Sequence, residues 1–263
     1  MSRYDRQGVH RWKQDEFVFD NDMLANEGLV HLHVNGKRLT SLLASHEDLV
    51  ELGVGHLATE YQNFDLASID VEVEHGQDEA KVVIHGPFEV ENWTTRDRVV
   101  TTSCGACEHD ALPAMLATSN VVNAVHPVRH MHSIEHAFQA MKSSQDGFRV
   151  TGGLHAAGLL YEGDAVRVME DIGRHNAVDK IIGAHVLSNE QREPHALLLS
   201  GRCGWDIVAK ASRFNIPIIA SIGAASTLAA TAARASNITL VSFLRDGKAV
   251  IIGPLKGRLK AKD

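Results

Sequence analysis

From residue 154 onward the chain alternates apolar, strand-length runs with helical patterns, and this alternation constrains its fold more than any other feature. Uninterrupted apolar strands need both sheet faces covered, so the pattern predicts an α/β sheet flanked by helices. Strands are expected at 154–161 and 165–170, around the turn Glu162-Gly163-Asp164, and then at 195–199, 216–221 and 238–243. A helix after residue 170 should turn Val178, Ile181, Ile182 and His185 inward. Two more are expected over 205–214 and 226–235, the latter with Ser226 as a ready cap. Asp246-Gly247 supplies a closing hairpin turn. The weakly polar stretch 216–233 contains Pro217, Ser221, Gly223, Ser226, Thr227 and Thr231, so it reads as strand, turn and helix rather than a membrane span.

Ahead of this region the pattern is mixed. The first 24 residues are polar and are expected to form a loosely ordered tail. Residues 29–34 alternate as a strand, Asn35-Gly36 gives a type I′ turn signal, and 37–42 return as its hairpin partner. Ser45 and Asp48 resemble a capping box before a helix with Leu49, Leu52, His56 and Leu57 on one stripe. Strands are expected at 69–74 and 80–85, and a helix carrying Ile134, Ala137, Phe138 and Met141. The organisation predicted is a tail over 1–24, a smaller α+β part over 25–130, and an α/β domain over 131–263.

Net charge is −7 with no long basic run, which argues against duplex nucleic acid as a partner. The start lacks an apolar signal region, and three cysteines do not make a disulfide framework. A reducing cytoplasm is the expected compartment.

Two of the three cysteines form the motif Cys104-Gly105-Ala106-Cys107. Such a thiol pair can ligate metal, cycle as a disulfide or carry sulfur. Structural zinc needs four ligands. No second Cys-x-x-Cys exists, although His126, His130, His132 and His136 follow, with His132 and His136 able to share a helix face. The thioredoxin-like context is missing, since Glu108, Asp110 and Pro113 follow the motif. A reactive, accessible thiolate used for group transfer fits these neighbours best. Cys203 reads as a small packed residue.

Three strand-to-helix junctions could line a ligand crevice at one sheet edge. The first is Glu170-Asp171-Ile172-Gly173-Arg174-His175-Asn176-Ala177-Val178-Asp179-Lys180, where Arg174 and Lys180 could hold an anion, or where Arg174 and Asp179 are solvated charges on a capped helix. The second is Ser200-Gly201-Arg202-Cys203-Gly204, and the third runs from Ser221 to Thr227.

Together these blocks resemble the formate dehydrogenase accessory sulfurtransferases, the FdhD family. The resemblance rests on Thr102-Ser103-Cys104-Gly105-Ala106-Cys107, Leu154-His155-Ala156-Ala157, the block 170–180, Ser200-Gly201-Arg202, and residues 239–247. Val34-Asn35-Gly36 and Gly55-His56-Leu57-Ala58-Thr59-Glu60 extend it towards the N-terminus. The chain departs from the usual pattern at Ala44-Ser45-His46, at His56 in place of phenylalanine, and at Cys203-Gly204.

The resemblance implies a sulfurtransferase. It would accept persulfide sulfur from a cysteine desulfurase and deliver it to the molybdenum bis(molybdopterin guanine dinucleotide) cofactor, which is bound as substrate and destined for formate dehydrogenase. Cys104 would carry the persulfide and Cys107 would assist. The implied cofactor-binding segment is Phe243, Leu244, Arg245, Asp246, Gly247 and Lys248. On their own chemistry, Arg245 and Lys248 suit anions and Phe243 suits a stacked base. No intrinsic metal is expected, and the resemblance is compatible with a homodimer. The implied C-terminal fold is similar to cytidine deaminase. Ala157 stands where a deaminase needs its glutamate, so zinc deamination is not expected. The alternative is a non-catalytic chaperone for the guanine-dinucleotide cofactor, with structural or zinc-bound cysteines.

Overall fold

The computed structural model describes residues 3–61, 68–76, 79–89, 99–100, 120–123, 126, 128–188 and 190–261. Two sheets dominate the described residues. The first comprises β3 (Gly28–Val34), β4 (Lys37–Ala44), β5 (Asp70–His75), β6 (Glu79–His85) and β7 (Val99–Val100), in the order β5-β6-β3-β4-β7. The β3–β4 turn has Asn35 at φ 46° and Gly36 at φ 81°, the left-handed pair that a type I′ hairpin requires. Helix α1 (Leu49–Glu60) buries Leu49, Leu52 and Leu57 against Val30, Leu32, Val82 and Ile84 of this sheet.

The second sheet comprises β9 (His155–Leu160), β10 (Val166–Asp171), β11 (Ala196–Leu199), β12 (Ile218–Ser221), β13 (Thr239–Arg245) and β14 (Lys248–Ile252), ordered β10-β9-β11-β12-β13-β14. Both faces are covered, as the apolar strands predict. Ala157, Leu159, Leu197, Leu199, Ile219 and Leu240 face α4 (Arg174–Leu187), α5 (Trp205–Arg213) and α6 (Thr227–Ala235). Ala156, Leu160, Leu198, Ile218, Ala220 and Val241 face α2 (Met131–Ser143), which contributes Ile134, Ala137, Phe138 and Met141. This split is the period-2 alternation of strand side chains, filled on each side by a helical stripe. Ser226 caps α6 as expected, its side chain accepting the Ala229 N–H at 3.1 Å. A short pair, β8 (Arg129–His130) with β15 (Leu259–Lys260), and the single-turn helix α3 (Asp146–Thr151) complete this part. Among the described residues no helix is long and apolar enough to cross a membrane.

Two sequence expectations need correction. Instead of a loosely ordered tail, residues 4–25 form a hairpin of β1 (Tyr4–Lys13) and β2 (Glu16–Ala25), in full register from Tyr4↔Ala25 to Lys13↔Glu16. Its turn uses Gln14 and Asp15 at positive φ without glycine, so the usual signal is absent. Arg11 pairs with Asp20 at 2.9 Å and Asp22 at 2.8 Å on one face, so its charges stitch the ribbon rather than solvate a tail. The capping box at Ser45 is also not formed. Asp48 precedes α1 at φ 52° without a side-chain cap, and Ser45 faces the second sheet instead. Its N–H donates to Asp171 Oδ2 at 3.1 Å, and its hydroxyl accepts the Ile172 N–H at 3.1 Å.

These Ser45 contacts belong to a seam joining α1 and its flanks to α4. Gly55 and Gly183 let the two helices touch at backbone distance; a methyl group on either would overlap a carbonyl of the other helix. Buried charges fill the remainder. Asp179, fully buried, accepts from Lys210 Nζ at 2.7 Å and Thr59 Oγ1 at 2.8 Å, and its other oxygen meets His56 Nδ1 at 3.0 Å. Lys210 also pairs with Glu60 at 2.6 Å. Lys180, equally buried, pairs with Asp171 at 2.7 Å and donates to Ser45 O at 3.2 Å. His56, the departure from the usual phenylalanine, is thus built into the cluster.

Burial would raise the Asp179 carboxyl, but the Lys210 ammonium and His56 outweigh it and hold it well below the usual carboxylate range. The unfolded group titrates near about pH 4, so its stabilising contribution is complete above that and is lost as pH falls towards the folded value. Asp179→Ala should cost about 3–5 kcal/mol, because Lys210 is left buried and under-compensated. Urea unfolding should show this loss at neutral pH, and the stability gap between wild type and Asp179→Asn should narrow on acidification below about pH 4. A gap independent of pH would contradict the ion-pair account.

Candidate functional site

The second sheet gathers its loops on one edge. Because β9 runs antiparallel to both β10 and β11, while β12 and β13 run parallel to β11, the start of β9 meets the ends of β10, β11, β12 and β13. Open α/β sheets bind ligands at such an edge. The turns there are tied together. Ser200 N–H donates to Ala156 O at 3.0 Å, and Ala156 N–H donates to Ser200 Oγ at 2.8 Å. Ser221 Oγ donates to Gly201 O at 2.6 Å and accepts the Gly223 N–H at 3.0 Å. Phe243 N–H donates to Gly223 O at 3.0 Å.

A cleft of about 710 Å³ opens at this edge. Its apolar lining includes Phe138, Met141, Phe148, Leu154, Ile222 and Leu244; its polar lining includes His155, Ser200, Lys142, Glu135, Arg245 and Asp246. Leu244, Arg245 and Asp246 come from the segment singled out in the sequence. They were found through its turn, and indeed Asp246 at φ 51° and Gly247 at φ 68° form the β13–β14 hairpin. Glu135 of α2 accepts the Gly247 N–H at 3.0 Å, fixing the turn over the helix. The α2 and α3 wall, including Glu135, Phe138 and Phe148, was not foreseen as a site. The α2 stripe gave only a core signal.

Phe243 has an unusual backbone. It sits at φ 54° inside a register shift between Ser242 and Arg245, with 43% of its surface exposed. A bulky residue held in the left-handed region costs about 1–3 kcal/mol, and such outliers cluster at ligand sites. The bulge breaks strand alternation and presents the ring to solvent beside the cleft. Arg245 and Lys248 are exposed on the same hairpin.

Most polar side chains of the block 170–180 are engaged within the fold, which neither sequence reading anticipated. Glu170 caps α3, accepting the Gly147 and Phe148 N–H groups at 2.9 Å each. Asp171 accepts from Gly173 N–H at 2.7 Å and Asn176 Nδ2 at 3.0 Å. Asn176 also reaches Leu43 O at 2.8 Å. Lys180 and Asp179 are neither anion ligands nor solvated charges, but members of the buried seam. His175 pairs with Asp206; burial, opposed by that carboxylate, lowers its imidazole to about 4.

His155 opens β9 opposite Asp171, with the Gly201 backbone against its ring. Burial, reinforced by the Arg174 and Arg202 guanidinium groups, keeps the imidazole below its ordinary value. Cys203 is buried as expected, its thiol pushed up by that burial. Cys104 and Cys107 lie outside the described residues. Of the histidines considered with them as zinc ligands, His132 and His136 are exposed on α2, whereas His126 stacks on His195 with ring centres 4.2 Å apart.

The model of the FdhD/NarQ family matches residues 25–254. The chain is 34% identical over 244 residues to the sulfur carrier protein FdhD of Shewanella oneidensis, spanning 88% of this chain and 84% of that one. It is 35% identical over 237 residues to the protein of the same name from Sulfolobus acidocaldarius, spanning 85% and 86%. A crystal structure assigned as a formate dehydrogenase accessory protein of Desulfotalea psychrophila superposes with a TM-score of 0.77 at 21% identity, covering 98% of this chain and all of that one. That likeness shows the shared mixed α/β fold. With a family match that runs from β2 to beyond β14 and relatives aligned over most of their length, the chain belongs to the FdhD/NarQ family.

Proposed function

We propose that this protein is a sulfurtransferase that takes persulfide sulfur from a cysteine desulfurase onto Cys104 and delivers it to the molybdenum bis(molybdopterin guanine dinucleotide) cofactor required by formate dehydrogenase. The observation that carries the reading is the strand-end cleft, walled by Leu244, Arg245 and Asp246 and placed beside the exposed, backbone-strained Phe243. Relatives over most of the chain are named sulfur carriers, which supports the transfer step. In that step the Cys104 thiolate attacks the terminal sulfur of the desulfurase persulfide. A new S–S bond forms on Cys104, the donor S–S bond breaks, and the donor leaves as its thiolate, with no net oxidation. Cys107 stands as the assisting thiol.

The cofactor is substrate here, and the site suits it chemically. The apolar cleft wall accommodates flat ring systems, Phe243 offers a base-stacking face, and Arg245 and Lys248 offer charge to phosphate. The sheet order, with antiparallel β9 between β10 and β11 and parallel β12 and β13 beyond, supports reading this part as cytidine-deaminase-like. Ala157 leaves the deaminase proton shuttle out.

Incubation with a cysteine desulfurase and cysteine should add one sulfur atom to the protein, read by intact mass and placed on Cys104 by peptide mapping. Cys104→Ala should take up none; an unchanged adduct on that variant would refute the assignment. Titration calorimetry with guanosine diphosphate should show Phe243→Ala binding about tenfold more weakly, the value of one base–aromatic stack. Unchanged affinity would remove Phe243 from the site.

A further inference from the structure

A second pocket, of about 320 Å³, opens where β13 begins and β14 ends, on the sheet edge opposite the cleft. The seven residues of β13 set the two apart by about 20 Å at the usual strand rise, and they share no lining residue. Asn123, His126, Asn237, Lys256 and Arg258 line the second pocket. Two of these side chains are cations and, among the described residues, none is a carboxylate. In a chain of net charge −7 such a lining departs from the average surface.

The pocket walls are fixed by the fold. Val122 N–H donates to Ser236 O at 2.9 Å, and Asn237 Nδ2 donates to Val122 O at 2.9 Å, which pins the segment bearing Asn123 against the α6–β13 turn. Asn123 N–H donates to Asn215 Oδ1 at 3.0 Å. On the other wall, Gly257 at φ 79° turns the chain between Lys256 and Arg258, and both side chains line the pocket. Arg258 Nη2 donates to Asn237 O at 3.4 Å. Burial lowers the Arg258 guanidinium below its ordinary value, a cost that a bound anion relieves. Lys256 is exposed and makes no hydrogen bond or ion pair among the described residues. His126 is held by its stack on His195, which accepts from Arg129 Nε at 2.8 Å. The His126 Nε2 is buried without a hydrogen bond, the Glu193 carboxylate standing too far away at 3.7 Å.

We propose that this pocket is a separate anion site, in which Lys256 and Arg258 hold a phosphate-class oxyanion, free or as the ester of a small molecule, while His126 and the two asparagines complete its hydrogen bonds. Two cations match a dianion. A guanidinium fork beside an ammonium point charge supplies both of the side-chain chemistries that recognise phosphate. The site does not rest on the function proposed above, since it shares no residue with the cleft or the Phe243–Lys248 hairpin. An anion there ties together the 121–123 segment, the α6–β13 turn and the 254–258 loop, so occupancy should stabilise the fold by mass action.

The test is a titration of the full-length protein with inorganic phosphate and, separately, glycerol phosphate, at constant ionic strength in chloride. Nitrogen–proton amide spectra locate the binding, and thermal melting reports on folding. The Asn237 and Gly257 amides should shift saturably with phosphate, and Tm should rise with its concentration. Lys256→Gln and Arg258→Gln should each weaken binding at these amides by about tenfold, the loss of one charge-assisted contact, and Arg258→Lys should lose less. Glycerol phosphate binding at least as tightly as phosphate shows that the site admits an ester, and weaker binding restricts it to the free ion; in either case the anion site stands. No saturable shift at these amides in the wild type would overturn the proposal, as would wild-type affinity in the folded double glutamine variant.

Discussion

The paired burial of charge between α1, α4 and α5 is the constraint on which the rest of the architecture depends. Asp179 and Lys210 are both essentially inaccessible, as are Asp171 and Lys180. Removing one partner of either pair would leave a buried charge under-compensated, which is strongly destabilising. His56 and Thr59 reach Asp179, and Ser45 reaches Asp171, from more than a hundred residues away, so these contacts fix how the first sheet's helix meets the second sheet. Hydrophobic contacts alone would tolerate sliding; a buried ion pair with directed hydrogen bonds does not. Gly55 and Gly183 supply the close approach that brings the charged groups within reach.

That fixed meeting has a consequence at the strand ends. Asp171 terminates β10 inside the seam, holds the Gly173 and Ser45 N–H groups, and thereby sets where α4 begins. Glu170, one residue earlier, caps α3 and so positions one wall of the cleft. The same short block that locks the two parts together therefore shapes the pocket. On the far side of the cleft, the bulge at Phe243 and the hairpin at Asp246-Gly247 are held by Gly223 and by Glu135. Rigid elements carry the site from both sides, as pre-organised binding requires.

What sequence made legible was local. Asn35-Gly36 and Asp246-Gly247 declare their turns because only a left-handed pair suits them, and the Ile134, Ala137, Phe138, Met141 stripe declares α2 by spacing. The strand-end site was legible in outline, since glycine and arginine follow successive apolar strands. The roles of Ser45 and Asp179 were not, because each is decided by a partner far away in sequence that no local pattern reveals, and Lys180 is drawn into the same buried seam by Asp171. The first hairpin was missed for a related reason. Its turn contains no glycine, and Trp12, Phe17 and Phe19 remain exposed, so its alternation carries no burial signal. Cys104 and Cys107 were singled out by sequence alone and lie outside the described residues.

The most direct test of the central claim, that this chain carries sulfur to a cofactor held at the strand-end cleft, is maturation of formate dehydrogenase in cells lacking their own FdhD-family protein. The wild-type chain should restore formate dehydrogenase activity. Cys104→Ser should accumulate as a folded protein that still binds guanosine diphosphate yet restores no activity. Full restoration by Cys104→Ser would contradict the account, leaving a protein that escorts the cofactor without carrying sulfur.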